Sequence, residues 1–106
     1  MYIAMNHFHV TAGDSAEFER RWAQRKSYLD EVPGFVRFHL LRGKDDPDGS
    51  HHYASHTVWD SRQVFLDWTH SEAFRQAHAR SGGTGGLLLE HPVFKGWEAV
   101  DLTRSV

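Results

Sequence analysis

The chain of 106 residues has room for one hydrophobic core, and 40% apolar with 25% charged residues is the balance of a globular domain. A net charge of −2 with neutral histidine gives no general attraction for nucleic acid or an anionic membrane surface. The absence of cysteine excludes disulfides, thiolate nucleophiles, iron–sulfur clusters and thiolate metal sites, and is compatible with a reducing compartment. No apolar run approaches the roughly 20 residues needed to span a bilayer. The opening "MYIAMNHFHV" lacks the basic segment and long apolar run of a signal peptide. A soluble, cytoplasmic single domain over residues 1–106 is the expectation.

In "MYIAMNHFHV", Tyr2, Ala4, Asn6, Phe8 and Val10 alternate with Ile3, Met5, His7 and His9. Both sets contain apolar residues, which predicts a strand covered on both faces. "TAGDSAEF" supplies a turn and a helix start, with Asp14 as N-cap and Glu17 completing a capping box. Phe18, Trp22, Arg25, Leu29 and Val32 then follow at helical spacing, predicting a helix of about four turns that Pro33-Gly34 stops. "FVRFHLLRG" is a second strand with Val36, Phe38 and Leu40 on one face, and "KDDPDGS" a polar turn into a third strand, "HHYASHTVW". Asp60 or Ser61 caps a helical region containing Val64, Phe65 and Trp68. Ser71 caps a second piece, "EAFRQAHAR", which "SGGTGG" ends. After Pro92, "VFKGWEAVDL" reads as the last strand.

The order is β-α-β-β-α-β, an α+β ferredoxin-like arrangement. Helices on one face of a four-stranded sheet leave the other bare, yet Met5, His7 and Val58 lie on strands there. A homodimer in which two sheets close a shared α/β barrel would cover that face. The fold alone assigns no chemistry.

In "WTHSEAFRQAH", residues 68–78, Phe74 and His78 are four apart on one helix line, and Trp68 returns to within roughly 80° of His78 if the helix is continuous. Ala77 leaves space beside the histidine. Spacing alone favours core packing for Trp68 and Phe74 and an exposed His78; the alternative is an apolar wall with an imidazole projecting from it. His70, at the expected helix break, fits an exposed capping position. Asn6 stands on an otherwise apolar strand face, where an amide is either satisfied structurally or aimed at a ligand. Trp22 fits either a pocket wall or ordinary core.

Other chemistry is less supported. The glycines of residues 82–86 follow a helix and lack the Lys-Ser/Thr of a phosphate loop. They fit a mobile loop with Leu87, Leu88 and Leu89 as an apolar lid edge, or a plain connector. His52 and His56 are about 13 Å apart along one strand, and His7 and His9, about 7 Å apart, have no carboxylate nearby in sequence. No HExxH or GxSxG occurs.

Asn6 in the first strand, followed by Trp68, Ser71, Phe74 and His78 in the pattern Trp–x2–Ser–x2–Phe–x3–His, resembles the IsdG/HmuQ-type heme-degrading monooxygenases. These belong to the antibiotic biosynthesis monooxygenase superfamily of dimeric α/β barrels. The resemblance covers essentially the whole chain, including "VPGFVRFHLLRG". It implies heme as both cofactor and substrate, opened with O2 and an external electron donor, a reductase or small reductant, to release iron. It implies His78 as the metal ligand, Asn6 as a distal hydrogen-bond donor to bound dioxygen, and Trp68 as the residue that pushes the porphyrin out of plane. Trp22 and Phe74 would line the heme, with Arg21, Arg25 and Arg75 as candidates for its propionates. Two alternatives share these features: a heme-binding carrier without turnover, and a cofactor-free quinone-forming monooxygenase of the same superfamily, in which an axial histidine has no necessary task.

Overall fold

A computed structural model describes residues 1–25, 28–72, 74–75 and 86–102. Strand β1 (Tyr2–Val10) leads to helix α1 (Ser15–Ala23), then β2 (Phe35–Arg42), β3 (His51–Trp59), helix α2 (Arg62–Thr69) and β4 (Val93–Glu98). The strands order as β2-β3-β1-β4, with every neighbouring pair antiparallel. This is the expected ferredoxin-like α+β fold, with β1 flanked on both sides.

The helix-facing side of β1 is the set Tyr2, Ala4, Asn6, Phe8 and Val10. Two apolar clusters divide it. Under α1, Phe8 and Val10 pack with Phe18, Tyr53 and Leu87, and with the partly buried Trp22, Leu40 and Leu88. Under α2, Tyr2 and Ala4 pack with Leu29 and Trp59, and with Val32, Phe35, Val64, Phe65 and Trp68. Burial of this apolar area, at roughly 25 cal/mol per Å², holds the helices on the sheet. Gly96 lets Tyr2 lie across β4, since a Cβ there would fall 1.8 Å from the tyrosine hydroxyl oxygen.

Four expectations are corrected. The first helix is shorter than its apolar spacing predicts, ending at Ala23 with Gln24 as cap. Tyr28 adopts left-handed geometry (φ 57°) and a 3-10 turn, Leu29–Glu31, follows. Leu29 therefore packs under α2, not along α1. Asp14 occupies the N-cap position of α1 but makes no side-chain capping bond. Its intended partner Glu17 is instead engaged by Arg20 and Arg21, which hold its carboxyl down at about 2. In β2, an irregularity between Phe35 and Arg37 takes Val36 out of the Phe38–Leu40 face and leaves it exposed. Leu87 is a buried core residue, not a lid edge, because the backbone after Gly86 bridges to β1 through Val10 and Leu88.

Candidate functional site

Direct cross-strand partners share a face, so Asn6, Ser55, Phe94 and Leu40 form one row across the helix side of the sheet. The row lies between the two clusters. Ser55 is buried and Asn6 half-buried, and among the described residues no group takes up the Asn6 side-chain amide. Half-buried, the Asn6 amide keeps its hydrogen-bonding capacity available to a ligand or to water.

Aromatic side chains border the row on both sides. Toward α1, Trp22 stands edge-on to Phe8 at 5.7 Å and stacks on Phe38 at 5.6 Å. Its indole nitrogen is buried and has no hydrogen-bond partner among the described residues. The Arg25 guanidinium lies 4.6 Å over the Trp22 ring, and burial lowers its pKa. Arg21 is tied to Glu17 and Arg75 to Glu72, whereas Arg25 meets no carboxylate among the described residues.

Toward α2, Trp68 packs on Trp59 at 5.2 Å and on Phe65 at 6.2 Å, and Phe74 meets it edge-on at 4.7 Å. Phe65 also stacks on Phe94 at 5.7 Å, joining this wall to the Asn6 row. The local chain explains the placement. Ser61 caps α2 by accepting from the Val64 N–H, and α2 ends at His70, which is exposed. The Ser71 hydroxyl donates to the Trp68 carbonyl at 2.6 Å and accepts from the Phe74 N–H at 3.1 Å. One serine thus ends one helical piece and starts the next, fixing Phe74 against Trp68. A cleft of about 510 Å³ between the 3-10 turn and α2 also reaches Trp68, with Val32, Pro33, Val64 and Ser71 in its walls, but Asn6 does not line it.

Of the site residues expected from sequence, Trp68 and Phe74 are in contact, Asn6 lies between the clusters, and Trp22 packs on the cluster under α1 on the same side of the sheet. His78 lies outside the described residues, as do residues 82–85 of the glycine-rich stretch. Sequence reasoning missed Phe94 and Phe65 as wall residues. Phe94 becomes visible only once β4 pairs with β1, although its alternation with Gly96 was in the sequence.

Residues 1–80 match the model of the antibiotic biosynthesis monooxygenase family. The chain belongs to this family. A mycobilin-producing heme oxygenase of Mycobacterium tuberculosis is 35% identical over 95 residues, covering 86% of this chain and 87% of that protein. The crystal structure of the M. tuberculosis heme-degrader MhuD with two hemes in its active site superposes with a TM-score of 0.70 at 28% identity, covering 94% and 96% of the two chains. SnoaB, a cofactor-independent oxygenase from Streptomyces nogalater, is also 28% identical, with a TM-score of 0.66 and coverage of 94% and 93%. The family therefore spans heme-dependent and cofactor-independent oxygen chemistry, and the site residues must decide between them.

Proposed function

We propose that this chain is a heme-degrading monooxygenase that binds heme between the helices and the Asn6 row and opens the porphyrin. The single observation that carries the reading is the Asn6 amide, without a partner among the described residues, between two aromatic walls. A flat macrocycle needs an apolar slot with few polar groups at chosen points. The small side chains Ala4 and Ser55 leave the sheet surface low around Asn6, and Trp22, Phe38, Trp68 and Phe74 supply faces and edges on either side. The 35% identity to a heme oxygenase supports the same reading.

Bound heme supplies the iron that activates O2 and the ring that is oxidised, with electrons from an external reductant. The chain's residues then have separate tasks. His78 offers the imidazole that holds the iron. Asn6 would offer its amide N–H to a polar group of the bound ligand at the sheet surface, orienting it without giving up a proton. Trp68 is backed by Trp59 and Phe65, so its ring resists displacement and presses on the macrocycle instead. Arg25, desolvated and facing no carboxylate among the described residues, is the arginine best placed to receive a propionate.

A second copy of the chain is proposed to cover the opposite sheet face, where Leu41, Val93 and Trp97 are exposed beside half-buried Ile3 and Met5. Light scattering of the purified protein would return twice the chain mass; a monomer at micromolar concentration refutes it.

The test of function is direct. Hemin added to the apo-protein should shift the Soret band to a stoichiometric end point, and ascorbate in air with catalase present should bleach it with release of iron. No shift overturns the heme reading and favours the cofactor-independent chemistry of SnoaB. A shifted band that survives reductant leaves a heme carrier. His78→Ala should abolish the ligated spectrum while His70→Ala preserves it. Asn6→Ala should bind hemin yet turn over about 100-fold more slowly, the cost of losing one positioned donor.

A further inference from the structure

At the end of β1 remote from Tyr2, the open face of the sheet carries a second convergence of polar groups, away from the Asn6 row. His9 and His52 are direct cross-strand partners. Their rings stack at 4.4 Å between centroids with 8° between planes. Both Nε2 atoms reach one carboxylate oxygen of Asp46, in the β2–β3 turn: His52 at 2.9 Å and His9 at 3.3 Å. All three ligand atoms lie within 4.8 Å of one another.

Further polar groups surround the two nitrogens of His9. His9 Nδ1 lies 3.0 Å from the Glu90 carboxylate, which leaves Nε2 on the Asp46 side. The Ser50 hydroxyl lies 2.8 Å from that Nε2 and 2.6 Å from Asp48. His52 Nε2 and His9 Nε2 both face the same Asp46 oxygen. The His9 and His52 ring nitrogens and the Asp46 carboxylate thus converge on one small volume at the sheet surface. Two imidazole nitrogens, a carboxylate oxygen and a hydroxyl oxygen are a donor set for a divalent first-row transition ion. A carboxylate receiving the other ring N–H of a ligating histidine, as Glu90 does, is the usual outer support of such a site.

The geometry points to a binding site for one divalent transition-metal ion of the zinc class, held by His9, His52 and Asp46 with Ser50 at its edge. Half-exposed His52 turns about its side-chain torsions to bring its nitrogen onto the ion beside the stacked His9. The ion would tie β1 and the β2–β3 turn to the segment ending at Glu90, whose Leu89 N–H already donates to the His9 carbonyl at 2.8 Å.

Chelator-treated, heme-free protein titrated with Zn2+ against a chromophoric chelator should take up one equivalent per chain in the micromolar range or tighter, and its melting temperature should rise. Co2+ should give visible d–d bands. His52→Ala and the isosteric Asp46→Asn should each weaken binding at least about tenfold, and Glu90→Gln about tenfold as a positioning residue. His39→Ala, in the other histidine pair of the same face, should leave it unchanged. Zinc uptake equal in wild type, His52→Ala and Asp46→Asn overturns the site, as does no uptake below about 100 µM. In the latter case an imidazolium–carboxylate pair is all that His9 and Asp46 form. Both variants should still shift the Soret band with hemin, so this site and the heme site fail independently.

Discussion

The two helices sit on the same sheet and are held in different ways. Helix α1 drives Phe18, fully buried, between Phe8 and Tyr53, with ring centroids at 5.5 and 4.7 Å. Helix α2 has no fully buried residue; Val64, Phe65 and Trp68 rest half-covered on Tyr2 and Trp59. One side of the sheet is therefore closed by a knob in a hole, and the other by a tier of aromatics that keeps surface available. The α1 side reads as the stability anchor, and the α2 side as the surface that a ligand completes.

Phe18→Ala is the largest expected break in this comparison. It removes a fully buried ring and should cost about 3–5 kcal/mol of unfolding free energy in urea. Trp68→Ala should cost no more than about half as much, because its ring is only half-buried, while nearly abolishing turnover of bound hemin. If Trp68→Ala destabilised as much as Phe18→Ala, the division between anchor and working surface would fail. Ser71→Ala is a smaller change on the α2 side alone. Losing the cap between Trp68 and Phe74 should cost about 1 kcal/mol and broaden the hemin spectrum. An unchanged spectrum would mean that Phe74 needs no such positioning.

The fold was legible because its signals are local and repeated: period-two strands, a capped α2 and turn residues between them. Ser61 and Ser71 cap where their sequence positions predict, and the Asn6 face was readable from alternation. The failures have physical causes. The run Phe18 to Val32 keeps a helical apolar rhythm, but Tyr28 takes a left-handed conformation that rhythm cannot reveal, so half the run folds under α2 instead. Glu17 was a fitting capping partner until two arginines one turn on offered stronger, charged donors. Along its own strand His9 has only His7 as a polar neighbour on its face. Its true neighbours, His52 and Asp46, are joined to it by strand pairing and a turn, at sequence distances that no local pattern spans.

The smallest prediction concerns pH and again separates the two sides. Burial, and then its hydrogen bond to Glu19 of α1, push the Tyr53 hydroxyl up to about 12 from its usual 10. Native Tyr53 thus keeps a proton that the unfolded chain has lost between about pH 10 and 12, so the native state binds more protons there. Stability from this group is complete below pH 10 and falls as pH rises through that window. Tyr53→Phe removes the titrating group while keeping the ring against Phe18. Melting temperatures measured from pH 9 to 12 should therefore fall less steeply in Tyr53→Phe than in the wild type. Parallel slopes would show that the α1 anchor does not depend on a protonated Tyr53, and that the packing of Phe18 alone secures that side of the sheet.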